Sequence, residues 1–270
     1  MSNARGITET NRRLLEVLHR RTAGPFSVVD AAGIWKLRLE KARRLVAHLA
    51  ARGWLARVRR GTYVVVPLGA TKPDDWREDP WVVAMDTFSP CYIGGWTACA
   101  HWELTEQIFR DVMVFSSRPR TRRRYEIQGT AFRVKIVDPM SLFGLVTVWR
   151  GRVEARASDP ARTLVDVLDD PSAGGGIRHV SDVVADYFRS GVRDDAKLGE
   201  YASRLGHRTV FKRLGYLIEA LNLDAPELVR TCRSRMSAGV SPLDPALPRK
   251  GRIVSRWRLL INATLSASRP

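Results

Sequence analysis

Over the first sixty-odd residues, apolar positions recur three times at helical spacing and then twice at strand spacing. Leu14, Leu15 and Leu18 form a stripe that predicts a helix over residues 8–21, closed by Gly24-Pro25. Ser27 is a suitable N-cap for a second, short helix carrying Val28, Val29, Ala31 and Ala32 and ended by Gly33. In a third helix, over residues 38–52, Ala42, Leu45, Val46 and Leu49 make the buried stripe. Lys41, Arg44, His48 and Arg52 lie on another face of it. After Gly53 the runs 54–58 and 62–66, joined by Arg59-Arg60-Gly61, predict a hairpin. Three helices followed by a hairpin make a winged helix-turn-helix.

Past Pro67 the pattern lapses, and residues 68–80, with Gly69, Pro73, Asp74, Asp75 and Asp79, have the composition of a linker. The remainder, 81–270, predicts a mixed α+β domain. A helix near 81–88 leads to a turn and a second helix in the segment 92–104. Short β-branched and aromatic runs at 112–115, 131–137, 142–149 and 152–157 predict a small, mainly antiparallel sheet. From Asp159 the period becomes helical, with segments beginning at Ala161 and at 180–188, 198–205 and 210–221. The tail, with Pro242, Pro245 and Pro248 and then residues 253–261, reads as an extended excursion ending in a strand. The fold class is therefore α+β, with residues 1–67 as the DNA-binding domain and 81–270 as an effector domain.

Charge sharpens this picture. The 270 residues carry 45 Lys and Arg against 28 Asp and Glu, a formal charge of +17. Residues 1–65 hold 14 of those bases against 4 acids, so the excess is concentrated in the winged module. A field of that sign attracts a polyanion, double-stranded DNA above all for this arrangement of elements. A third helix of this kind enters the major groove, where Lys36, Arg38, Lys41 and Arg44 would reach base edges. Arg57, Arg59 and Arg60 on the hairpin would meet phosphates. Arg118, Arg120, Arg122, Arg123 and Arg124, five arginines in seven residues, are a second polyanion contact or a solvated hairpin loop.

Candidate chemistry is thin. Cys91, Cys99 and Cys232 contain no Cys-x-x-Cys pair, so neither a disulfide framework nor a zinc site is expected. Gly174-Gly175-Gly176 lacks the Gly-Lys-Ser/Thr of a phosphate loop. The one enzyme reading with substance is a metal-dependent nuclease using Glu126, Asp138 and Glu154 beside predicted strands. No catalytic residue, metal or cofactor is expected. No apolar run approaches membrane-spanning length, so the expected compartment is the cytoplasm.

The winged helix closing with Arg60-Gly61-Thr62-Tyr63 and Pro67, the segment from Tyr92 through Ala98 and His101 to Leu104-Thr105-Glu106, Arg162-Thr163-Leu164-Val165-Asp166, Arg213-Leu214-Gly215-Tyr216, and the stretch from Trp257 to Asn262 occur in an order that resembles the AbiE-type antitoxins. These are the transcriptional-regulator half of bacterial type IV toxin-antitoxin systems. The resemblance implies a repressor that binds inverted repeats in its own promoter and that counters a nucleotidyltransferase-like toxin; paired half-sites would favour two copies on DNA. Cys99 and Trp102 depart from the small residues and glycine usual at their positions, which puts local packing in question.

Overall fold

The computed structural model describes residues 8–67, 70 and 76–265. Thr8 caps α1 (Glu9–Arg21), and a reciprocal Ser27–Asp30 capping box starts α2 (Val28–Trp35). Gly33 does not end α2. The helix continues to Trp35, whose buried ring donates from Nε1 to the Leu14 carbonyl at 2.9 Å, and the left-handed residue that ends it is Lys36. Tertiary burial of the indole outweighs the weak local stop signal. After Arg38 as N-cap, α3 (Leu39–Ala51) buries Ala42, Val46 and Leu49 as the periodicity predicts. A two-residue strand, β1 (Phe26–Ser27), which the pattern does not reveal, joins the hairpin β2 (Leu55–Arg59) and β3 (Thr62–Val65) in the order β1-β3-β2. The winged helix is thus complete.

Of the expected linker, residues 68, 69 and 71–75 lie outside the described residues, as do 1–7 and 266–270. Asp79 then caps α4 (Pro80–Phe88). The central sheet has six strands: β4 (Cys91–Ile93), β5 (Val112–Ser116), β6 (Arg124–Ile127), β7 (Thr130–Ile136), β8 (Leu145–Arg150) and β9 (Val153–Ser158), in the order β6-β7-β5-β4-β9-β8. It is larger than expected. The β5–β7 and β4–β9 pairings are parallel and the other three antiparallel. Strand β4 was expected as a turn, because three apolar residues give no alternation to read. Its ladders to β5 and β9 come entirely from distant sequence.

Gly94 and Gly95 let α5 (Gly95–His101) turn sharply over the sheet. A Cβ at Gly95 would sit 2.3 Å from the Ala173 carbonyl oxygen, and its φ of +55° lies in the left-handed region. Helices α6 (Pro160–Asp169), α7 (Ile177–Arg189), α8 (Asp195–Leu205), α9 (Thr209–Ala220) and α10 (Pro226–Arg235) form the helical part. A second small sheet, β10 (Ser241–Pro242), β11 (Arg252–Val254) and β12 (Leu259–Ile261), seals it.

Several of the segments that suggested the family, those beyond the winged helix above all, hold buried structural residues. Arg162 and Asp166 pair at 3.0 Å, and the Tyr92 hydroxyl donates to Asp166 and accepts from Arg162. Arg213 donates to the carbonyls of Leu168, Asp169, Pro242 and Leu243, tying the end of α6 to the C-terminal chain. Asn262 and Asp244 exchange two hydrogen bonds. Cys99 is fully buried and burial raises its thiol pKa strongly, so it is a core residue. Trp102 donates from Nε1 to the Ser158 carbonyl, which settles its packing.

Candidate nucleic-acid interface

The exposed face of the winged module is built by α3 and the hairpin tip. Arg38, Lys41, Arg44, His48 and Arg52 follow one another at three- and four-residue spacing and are all exposed. No carboxylate lies within ion-pair distance of them among the described residues. The neighbouring Arg43 instead pairs with Glu40 at 2.8 Å, on the next face round the helix. Unpaired guanidinium groups in a row leave positive potential directed outward. Arg38 makes no side-chain cap bond to the first-turn amides of α3. Lys36 stands in the turn before α3 rather than on it, exposed and left-handed.

The hairpin differs from a free wing. One face, with Leu55, Tyr63 and Val65, packs on α1–α3, while Val58 and Val64 join the core formed by α4 and the central sheet. Its two sides are therefore both covered, and the hydrophobic interior does not divide at residue 67. Three polar contacts accompany this docking. Arg152 donates to the carbonyls of His19 and Arg20, satisfying the end of α1. Gln128, in the two-residue turn of the β6–β7 hairpin, donates to the Arg57 carbonyl and accepts from the Glu78 amide. Arg59 pairs with Asp86 of α4 at 3.0 Å.

Of the seven predicted contact residues, Lys36, Arg38, Lys41, Arg44 and Arg60 are thus exposed with no carboxylate in ion-pair reach among the described residues, whereas Arg57 Nε donates to the Arg59 carbonyl and Arg59 is engaged by Asp86. Asp86, Gln128 and Arg152, which set the wing's position, carry no local sequence signal. A phosphate approaching the tip must displace or join the Arg59–Asp86 pair. The pair is partly exposed and contributes about 0.2–1 kcal/mol. Asp86→Asn is accordingly expected to tighten duplex DNA binding about twofold to fivefold, readable by fluorescence anisotropy at fixed salt.

Among the arginines of the second cluster, Arg120 is distinct. It is half-buried, donates to the Thr87 carbonyl, and lies 4.8 Å from the Phe88 ring centroid and 5.7 Å from that of Tyr125. Arg118, Arg122, Arg123 and Arg124 are exposed. The cluster joins β5 to β6, which are separated in the sheet by β7, so it is a crossover connection and not the hairpin loop expected.

The nuclease trio is dispersed. Glu126 is on β6 and Glu154 on β9, four strand spacings apart or ~19 Å at the usual interval. Asp138 accepts a hydrogen bond from the Met140 amide at the start of a short 3-10 turn. Among the described residues no group of three or more His, Cys, Asp or Glu could hold a metal ion. Nor is any described helix long and apolar enough to cross a membrane.

No curated protein matches the chain. Residues 12–66 match the family model described as a transcriptional regulator, AbiEi antitoxin. That stretch covers α1 from its fourth residue through α2, α3 and the whole hairpin, so the match and the basic face coincide. Over this N-terminal module, and there alone, the chain is similar to the AbiEi-type antitoxin and transcriptional-regulator family.

Proposed function

We propose that the protein is a sequence-specific repressor of its own operon and the antitoxin to a nucleotidyltransferase-like toxin encoded beside it. The observation that carries the DNA-binding half is the row of unpaired, exposed cations on α3, in a module whose family is described as regulatory. Lys41 and Arg44, with Arg38 at the helix start, read base edges, the planar guanidinium fork suiting the O6 and N7 acceptors of guanine. Lys36, Arg57 and Arg60 hold phosphates, and Arg59 joins them once Asp86 yields. Two copies on inverted half-sites would match the symmetry of a palindromic operator. The toxin-directed role rests on the family and falls to residues 81–270, in which no catalytic group is assigned.

Mobility shift against the operon's own upstream DNA tests this reading. Replacing Arg38, Lys41 and Arg44 together by alanine is expected to remove ~1–3 kcal/mol for each true base contact, so that specific binding is lost at concentrations saturating for the parent protein. Unchanged binding by this variant would falsify the docking of α3. For the antitoxin half, co-expression with the adjacent toxin is expected to restore growth, and growth arrest despite accumulation of the protein would overturn it.

A further inference from the structure

We infer that the arginine loop at residues 118–124 forms one phosphate-binding ridge with the tip of the wing, so that the effector domain itself supplies part of the DNA footprint. This rests on the DNA-binding reading above and extends it to residues outside the winged helix.

The argument runs through the last turn of α4. Asp86 holds Arg59 of the wing, and the very next residue, Thr87, accepts through its carbonyl from Arg120 at the base of the loop. Phe88 then lies beneath the Arg120 guanidinium. Consecutive residues of one helical turn therefore fasten the two basic segments side by side. Because the wing is packed against α4 and the sheet through Val58 and Val64, its tip is held to the same helix end that anchors the loop. Whatever duplex surface meets Arg60 lies next to the loop.

Arg120 is the anchor and the others are free. Arg118, Arg122 and Arg123 are exposed, and none lies within ion-pair distance of a carboxylate among the described residues. A solvated loop with no binding role gains nothing from five unneutralised like charges, which repel one another and oppose close packing. A polyanion relieves that repulsion and releases its condensed counterions. An acidic protein surface could also relieve it. Continuity with the wing tip selects the phosphate backbone of the duplex flanking the site read by α3.

The test is the salt dependence of affinity for a mixed-sequence duplex of about four helical turns, ~42 base pairs, measured by anisotropy. Three full-length proteins are compared: the parent, a loop variant with Arg118→Ala, Arg122→Ala and Arg123→Ala, and the same positions changed to Lys. Arg120 is left in place because it is packed against Phe88 and Tyr125. Expected is a loss of about tenfold or more in the alanine variant near 0.1 M salt, with the slope of log K against log salt shallower by about one to three. The lysine variant should keep the parental slope, since point charges suffice for phosphate contact.

Parental affinity and slope in the alanine variant, while the α3 variant loses both, overturn the ridge and leave the DNA-binding reading standing. The ridge is likewise overturned if the alanine variant binds duplex normally but no longer neutralises the toxin, which assigns the loop to a protein partner. No salt-dependent affinity for any duplex in the parent removes both readings together.

Discussion

Asp166→Ala is expected to destabilise the protein by about 3–5 kcal/mol, because it strands a buried guanidinium. Arg162 and Asp166 lie one turn apart on α6, each almost wholly buried, and the Tyr92 hydroxyl closes the triangle from β4. Burial works against the charged guanidinium, yet the Asp166 carboxylate and the Tyr92 oxygen outweigh it and raise the Arg162 pKa. Burial raises the Asp166 carboxyl while Arg162 pulls the other way. With the carboxylate gone, the cation keeps only the face of Phe143, 4.1 Å from its centroid, and Tyr92. Urea unfolding followed by circular dichroism reads the loss. A paired Arg162→Met, Asp166→Leu replacement should recover most of it, since removing both charges leaves no buried ion without a partner. Equal loss in the single and paired variants would show that packing volume, not charge pairing, sets the cost.

Trp257→Ala is expected to cost a similar ~3–5 kcal/mol, here through a cavity. The indole is fully buried between the C-terminal chain and α9, and its Nε1 donates to Glu219 at 2.6 Å. The approach is so close that a Cβ on Gly215 would come within 2.1 Å of the ring, so the glycine of Arg213-Leu214-Gly215-Tyr216 is the seat of the tryptophan. Thermal unfolding should show the drop, with Trp257→Phe intermediate. A midpoint shift within error for Trp257→Ala would refute the cavity argument.

How far the sequence reaches depends on whether the decisive contact is local. The winged helix was legible because its signals are: the Ser27 cap, the Ala42–Val46–Leu49 stripe, and two strands separated by Arg60-Gly61. The exposed cationic row on α3 follows from the same periodicity. Where long-range packing decides, the reading fails. Helix α2 outruns Gly33 because Trp35 finds Leu14, and β4 exists because β5 and β9 flank it. The strands β10 and β11, two and three residues long and held by β12, were likewise not expected, nor was helix α10, which packs on α9 and α8. At the interface, the composition located the basic residues but not the company they keep. Nothing near Arg59 announces a carboxylate 27 positions later, and nothing near Arg120 announces the end of α4.

The hairpin's double-sided burial has a consequence for biosynthesis. The first 67 residues leave the ribosome with Val58 and Val64 bare on their outer side, since Trp81, Val83, Phe88 and the strands that cover them are not yet made. At roughly 5–20 residues per second, the ninety further residues needed to complete that cover take from about five to about twenty seconds. Throughout that interval the nascent winged segment offers an oily strip beside a cationic helix, and its maturation waits on the arrival of the sheet.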